Sequence, residues 1–215
     1  MIWIYDLFRI SVLDFRISFA KKFNFVHTAI FMSKTSDQFD SVVKQCKDIF
    51  IKKMLDYGSA WRVMRNPSIV DQIFIKTQRI RTIDDKGTQK IKEDIGSDYI
   101  GIVNYSIIGL IQLELQNDSR QDVPVEEAGK LFDKFSDQAK SLMENKNHDY
   151  GEAWRDMRIG SFADLILMKL LRVRQIEDHK GKTLISEGVD ANYHDMMNYA
   201  VFALIKIEEK ENQTA

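Results

Sequence analysis

The chain has 215 residues, of which 44% are hydrophobic and 29% are charged, a composition typical of a soluble globular protein with one or two domains. Its formal net charge of −1 excludes a global field that would draw it onto nucleic acid or an anionic membrane, so any anion site has to be local. Cys46, the only cysteine, excludes an internal disulfide and a cysteine-based zinc site. One cysteine suits a reducing compartment, and we expect a cytoplasmic protein.

Residues 1–31 are rich in aromatic side chains, yet charged residues interrupt every apolar run. The interrupting residues are Asp6, Arg9, Asp14 and Arg16. This pattern is too broken for a membrane span or for the core of a signal peptide. From Met32 onward the sequence is typical of an ordinary protein start, so we interpret residues 1–31 as an extension outside the fold. An amphipathic membrane-surface segment is the alternative.

The first predicted helix is amphipathic. Apolar residues recur every three or four positions from Phe39 to Met54, and Gly58 is suited to end the helix. Cys46 lies on the apolar face and is therefore expected in the core. A short helical turn follows through Trp61.

Two more helices are predicted before the chain repeats itself. Asn66-Pro67 breaks the chain, and Ser68-x-x-Asp71 has the pattern of a capping box for a helix through about Ile83. A polar loop and a third helix, from about residue 97 to 116, follow. The chain has only two prolines and no alternating strand pattern, so the fold class predicted is all-α.

The same pattern then occurs a second time. DYGSAWRVMR at 56–65 returns as DYGEAWRDMR at 149–158, which is 93 positions later. The Ser-x-x-Asp pattern returns at Ser161 and Asp164, before a last helix from about 190 to 209.

We therefore predict two tandem three-helix repeats that pack as a pseudo-two-fold helical bundle, in the manner of a homodimer fused into one chain. The predicted segments are repeat 1 at 37–116, a linker at 117–129 and repeat 2 at 130–210.

The repeated decapeptide is interpreted first as a packing device. Large apolar area is supplied by Tyr57 and Trp61, and by Tyr150 and Trp154 in the second repeat. Core packing is the simplest explanation, and we favour it for the two tryptophans. The residues of this motif are Lys53, Asp56, Tyr57, Gly58 and Trp61, with Lys146, Asp149, Tyr150, Gly151 and Trp154 as their counterparts.

Both repeats also keep basic residues at equivalent positions while neighbouring apolar residues differ. These pairs are Arg62 and Arg155, Arg65 and Arg158, Lys76 and Lys169, Arg79 and Arg172, and Arg81 and Arg174. Arginine binds phosphate or carboxylate bidentately, and lysine adds a mobile point charge. One interpretation is a phosphate-binding surface formed by Arg62, Arg155, Lys76, Arg79, Lys169 and Arg172. The other is a set of buried ion pairs with Asp56, Asp149, Asp71 and Asp164 that holds the repeats together.

Acidic residues distinguish the second repeat from the first. Glu187, Asp190 and Asp195 cluster near the start of the last helix, where carboxylate oxygens would suit Mg²⁺. In the first repeat Asp98 aligns with Asn192, and Gly101 aligns with Asp195. A metal site would therefore be stronger in the second repeat. The alternative is a helix start enriched in acids because of the helix dipole.

These motifs resemble the nucleotide modification associated domain 1 family. The resemblance rests on Lys-x-x-Asp-Tyr-Gly, Lys-x-x-Arg and Asn-Tyr, which occur at Lys53–Gly58, Lys76–Arg79 and Asn104–Tyr105, and again at Lys146–Gly151, Lys169–Arg172 and Asn198–Tyr199. It implies a helical domain linked to modified-nucleotide metabolism, with no established reaction. The acid followed by Asn-Tyr is also similar to all-α nucleotide pyrophosphohydrolases, in which carboxylates on helices hold Mg²⁺.

Two hypotheses for function follow. In the first, the protein binds a nucleotide or another small phosphorylated ligand, and any chemistry would be hydrolysis of a phosphoanhydride by a water activated by Mg²⁺. In the second, it is a non-enzymatic interaction or scaffold module whose repeated charges form ion pairs between repeats. Neither hypothesis involves direct nucleic-acid binding or a membrane, and both leave a homodimer open.

Overall fold

A computed structural model describes residues 34–182 and 187–214, so the interpretation of residues 1–31 as an extension lies outside the described part of the chain. Within these ranges the chain forms six α-helices and no strand, which confirms the all-α class. The helices are α1 (34–57), α2 (Asn66–Lys86), α3 (Ile95–Glu114), α4 (Val125–Tyr150), α5 (Ile159–Asp178) and α6 (Val189–Thr214). None of these helices is long and apolar enough to cross a membrane.

The first helix of each repeat ends at a glycine, as the sequence predicts. Gly58 and Gly151 adopt left-handed φ angles of 64° and 62°, which glycine tolerates without a steric penalty. The amide of Gly58 donates to Met54 O, and that of Gly151 to Asn147 O, both at 2.9 Å. A short 3₁₀ turn follows each glycine, at Ala60–Val63 and Ala153–Asp156.

The capping-box prediction is wrong in both repeats. Helix α2 begins at Asn66 and α5 at Ile159, and neither helix has a side-chain cap at its N-terminus. Ser68 and Ser161 lie inside the first turn instead of before it. In α2 the reason is Pro67, which is favourable in a first helical turn because its missing N–H would have no partner there.

Helix α4 begins earlier than the sequence suggests. It starts at Val125, so residues 125–129 of the predicted linker are helical. Ala128 and Gly129 are buried on its first turn, which explains why this stretch joins the helix.

Swapped ion pairs relate the two repeats. Lys47 of α1 donates to Asp133 of α4, and Lys140 of α4 donates to Asp40 of α1, each with a shortest distance of 2.6 Å. Lys140 is the counterpart of Lys47 and Asp133 that of Asp40. Such a reciprocal exchange is the signature of an isologous, two-fold interface.

Helices α2 and α5 show the same reciprocity. Arg81 lies 3.4 Å from Asp164, and Arg174 lies 2.8 Å from Asp71. These pairs are largely exposed, so they set the register of the two helices more than they stabilise the fold. The pseudo-two-fold packing predicted from the sequence is therefore confirmed.

The core lies where α3 packs on α6, with α2 packed on α5 beside it. Tyr99 and Tyr193, which are equivalent residues, are both fully buried. Phe50 of α1 contacts Phe132 of α4, with a centroid distance of 5.2 Å. Cys46 is fully buried, and burial raises its pKa to about 12, which confirms its expected place in the core.

The close approach of α3 to α6 depends on Gly109. A Cβ at this position would lie 2.7 Å from Cε1 of the buried Tyr193 ring. We expect Gly109→Ala to lower the free energy of unfolding by about 1–3 kcal/mol, because the ring cannot move in a packed core. Gly129→Ala in α4 is the matched control, since its Cβ would meet only Ile51 Cδ1 at 3.4 Å. We expect this control to be neutral or stabilising in denaturant unfolding, and equal losses would contradict the packing argument.

Candidate functional site

A cavity of about 580 Å³ opens in the first repeat between α1, the 3₁₀ turn, α2 and α3. Its wall includes Lys53, Tyr57, Trp61, Lys76, Asn104 and Tyr105. These residues belong to the motifs that the sequence repeats, and the fold brings them together from four separate elements. The cavity therefore collects the chemically distinctive side chains of this repeat in one place.

Two lysines provide positive charge at the cavity. Lys53 is exposed and forms no ion pair or hydrogen bond with any residue in 34–182 or 187–214. Lys76 is partly buried, and its Nζ lies 3.7 Å from Asp98 Oδ1, which is longer than a good hydrogen bond. Both ammonium groups can therefore accept a further anionic partner.

Asp98 pairs more closely with Arg79 than with Lys76. It is buried, and Arg79 donates a hydrogen bond to its Oδ2. Arg79 also donates to the backbone oxygen of Glu93 at 2.7 Å, which fixes the loop before α3. Arg79, a predicted phosphate ligand, is thus committed to the protein.

Asn104 offers an unused acceptor at the same cavity. Its side chain is buried, and its Nδ2 donates to Cys46 O at 3.1 Å, which ties α3 to α1. Its Oδ1 has no hydrogen-bond partner within the described residues. Asn198, its counterpart in the second repeat, donates in the same way to Ala139 O and has the same unpaired Oδ1, so this pair of amides joins helices in both repeats.

Aromatic residues form an apolar part of the wall. Trp61 is buried, which confirms the packing role predicted for it, and its Nε1 donates to Met54 Sδ at 3.1 Å. Tyr57 is 59% exposed and Tyr150 is 75% exposed, so core packing is wrong for the tyrosines. They lie on the last turn of α1 and α4, beyond the core. Burial raises the pKa of Tyr105, and its neighbour Tyr57 adds to the shift.

The second repeat has a different arrangement at the equivalent place. Asp195 is buried, and its Oδ1 accepts a hydrogen bond of 2.6 Å from Lys146 while its Oδ2 accepts one from Lys169. Burial raises the pKa of Asp195, but the hydrogen bonds from the two lysines outweigh it and the net shift is downward. Both lysines, including the predicted phosphate ligand Lys169, therefore have an internal carboxylate as partner.

The other predicted phosphate ligands lie apart from the cavity. Arg62 donates to Gln112 and to the backbone oxygens of Asp118 and Arg120, at 2.7 and 3.1 Å for the two carbonyls. These oxygens lie in the loop that follows α3, so Arg62 fixes this loop against the 3₁₀ turn.

Arg155 is equally committed. It donates to Glu152 at 2.7 Å and to Glu209 at 3.0 Å. Arg172 is exposed on α5 and forms no ion pair within the described segments.

The structure does not bring the predicted metal ligands together. Glu187 and Asp190 are exposed, whereas Asp195 is buried between two lysines that would repel a cation. Among the described residues, no three His, Cys, Asp or Glu side chains form a group that could hold a metal ion. These residues do not fit Mg²⁺ in this arrangement, and we derive no step through it.

The ion-pair interpretation holds in part for one pair of acids, because their pairs cross the two repeats but are exposed and not buried. Asp71 and Asp164 bind arginines across the two repeats, as described above. Asp149 lies beside its neighbour His148, 3.1 Å from Nδ1, and not against the other repeat. The lysines at the cavity and at Asp195 belong to a separate set of contacts, within each repeat.

Comparison with known families agrees with this division into repeats. The family model for nucleotide modification associated domain 1 matches residues 53–113 and 146–207. The chain belongs to this family, in two tandem copies. No curated protein and no solved structure matches this chain.

The two matched segments hold both lysine pairs described above and both Asn-Tyr motifs. Sequence reasoning placed Lys53 and Asn104 in the family motif without assigning them to a site. Their spacing within the chain gives no sign that they converge, because they lie on α1 and α3.

Proposed function

We propose that the first repeat binds a nucleotide or nucleoside phosphate in its cavity, as a contribution to modified-nucleotide metabolism. The observation that carries this proposal is the position of Lys53 and Lys76. Both line one cavity; Lys53 forms no ion pair with a carboxylate of the described residues, and the carboxylate of Asp98 lies 3.7 Å from Lys76 Nζ, beyond good hydrogen-bond distance. The net charge of −1 gives the chain no general attraction for anions, so any attraction at the cavity comes from these local cations.

The remaining wall suits the uncharged parts of a nucleotide. Trp61 and the two tyrosines at the mouth present aromatic surface on which a base can stack. A cavity of about 580 Å³ falls in the ordinary range for small-molecule sites.

The scaffold hypothesis is favoured by a different set of residues. The reciprocal pairs at Lys47, Lys140, Arg81 and Arg174 hold the repeats together. None of these four residues is part of the cavity wall. An architectural role for them and a binding role for Lys53 and Lys76 are therefore compatible.

The proposal is tested by thermal shift and calorimetry with a panel of nucleoside mono-, di- and triphosphates. A ligand that binds only the folded state raises the melting temperature. We expect Lys53→Ala and Lys76→Ala each to weaken binding by about 10-fold or more, because each removes a charge-assisted contact.

Lys52→Ala is the matched control, since Lys52 is an exposed lysine of α1 outside the cavity wall. We expect it to bind like the wild type. The absence of a shift with every nucleotide, or an equal loss in the control, would contradict the proposal.

A further inference from the structure

The two repeats differ by one acidic residue at the centre of the candidate site. Lys146 and Lys169 are the counterparts of Lys53 and Lys76. In the second repeat they share the carboxylate of Asp195, one oxygen each. The equivalent position in the first repeat is Gly101, which has no side chain.

Gly101 lies in the wall of the cavity, directly beneath Lys76. A Cβ at this position would lie 2.6 Å from Cδ and 2.9 Å from Nζ of that lysine. The side chain of Lys76 therefore crosses the space that the carboxylate of Asp195 takes in the second repeat. Its own acid, Asp98, lies one helical turn earlier on α3 and is bound by Arg79.

We propose that the carboxylate of Asp195 is the anion that Lys146 and Lys169 share in the second repeat, and that the phosphate of a nucleotide is the anion that Lys53 and Lys76 share in the first repeat, in the cavity that Gly101 lines. This inference rests on the proposed function and specifies it. The protein then binds one nucleotide phosphate per chain, and the second repeat fills its own subsite.

The chemistry of the two anions supports this equivalence. A carboxylate and a phosphate both accept charge-assisted hydrogen bonds from lysine, and two oxygens on one centre can each accept from a different ammonium group. Asp195 stays ionised in spite of its burial because both lysines donate to it. The first repeat keeps the two lysines but supplies no internal anion that both can share within its described residues.

The position of Asp98 explains how the first repeat remains stable although it has no acid at the position of Asp195. Asp98 aligns with Asn192, and Gly101 aligns with Asp195. At these two positions each repeat therefore has one acid, and the acid of the first repeat lies one turn earlier than that of the second. Asp98 pairs with Arg79, and its other carboxylate oxygen lies 3.7 Å from Lys76 Nζ. The first repeat thus keeps a buried carboxylate for packing, while Lys53 has no partner among the described residues and Lys76 has only the long contact with Asp98.

The inference is tested by transferring the acid between repeats and measuring stoichiometry by calorimetry. The probes are the nucleotide of the panel with the largest thermal shift and inorganic pyrophosphate. We expect one site per wild-type chain, and a loss of binding of at least 10-fold in Gly101→Asp. Asp98→Asn/Gly101→Asp, which copies the pattern of the second repeat, should lose binding to the same degree.

The reverse exchange should create a site. Asn192→Asp/Asp195→Gly gives the second repeat the pattern of the first, and we expect two sites per chain. Melting curves verify that each variant is folded, and the two Gly101→Asp variants allow the test to proceed if one of them fails.

Three results would overturn the inference alone: two sites in the wild type, unchanged binding in a folded Gly101→Asp variant, or one site in the folded reverse exchange. A wild type that binds neither probe nor any nucleotide would overturn the proposed function together with it.

Discussion

Asp195→Ala is expected to lower the free energy of unfolding by about 3–5 kcal/mol, the range found when one partner of a buried ion pair is removed. The side chain of Lys169 is only 8% exposed, so without Asp195 its ammonium is a buried charge without its partner. Lys146, whose side chain is 52% exposed, is able to turn toward water. The loss therefore comes from Lys169 and from the cavity left by the carboxylate.

Two variants separate charge from packing in this prediction. Lys169→Met/Asp195→Leu replaces the pair by apolar residues and should recover most of the lost free energy, since well-packed apolar substitutes of buried ion pairs are often neutral or stabilising. Lys146→Ala should cost less than about 1 kcal/mol, because its pair is partly exposed. Urea unfolding followed by circular dichroism measures all three. A loss below about 1 kcal/mol in Asp195→Ala would show that Lys169 reaches water.

Acid provides a second readout of the same ion pair. The folded-state pKa of Asp195 is lower than the ordinary value of 3.8, so its ionised form stabilises the fold above that value. This contribution is lost as the pH falls from about 3.8 through the folded-state pKa. The difference in stability between the wild type and the apolar double variant should change only in that acidic window.

The architecture could be predicted from the sequence because it depends on local patterns. The apolar period of three to four residues identifies the helices, and the glycine in each repeated decapeptide predicts that the helix before it ends in a left-handed residue. Repetition of both patterns at constant spacing predicts the pseudo-two-fold packing. The first two signals each lie within about 20 consecutive residues, and the repetition is found by comparing the chain with itself, so no long-range contact is needed to interpret them.

The site could be predicted only in part, because its contacts join residues distant in sequence. Lys76 and Lys169 were correctly identified as distinctive, but their partners depend on how α2 crosses α3 and α5 crosses α6. Arg62 has the same repeated spacing as the lysines, yet it binds carbonyls after α3. Repetition therefore marks residues that both repeats need, without separating those that pack from those that bind.

The difference between Gly101 in the first repeat and Asp195 in the second is visible in the sequence, but the charge that surrounds each position is not. An acid near a helix start suggested a metal ligand in the second repeat. The structure places two lysines against that acid, one from α4 and one from α5, so the local charge favours an anion instead. Only the positions of three helices together show that Gly101 and Asp195 hold equivalent places, each beside a lysine from the neighbouring helix.

Neither repeat is expected to fold alone as a monomer. In α3, 13 of the 20 residues are buried, and they occur on every side of the helix, as a central helix requires. Removal of the second repeat would expose the face of α3 that holds Tyr99 and Gly109. Expression of residues 34–118 alone should therefore give either an unfolded chain or a homodimer, since an isologous interface allows two first repeats to pair. Sedimentation and thermal melting measure this directly, and mixing with residues 119–214 should restore the helical signal. A monomer with a cooperative transition would contradict the prediction.

Because α3 carries both this interface and the floor of the cavity at Gly101, a change in how the repeats pair would also move the floor of the candidate site. Variants that change how the repeats pair should therefore also change the affinity for the ligand.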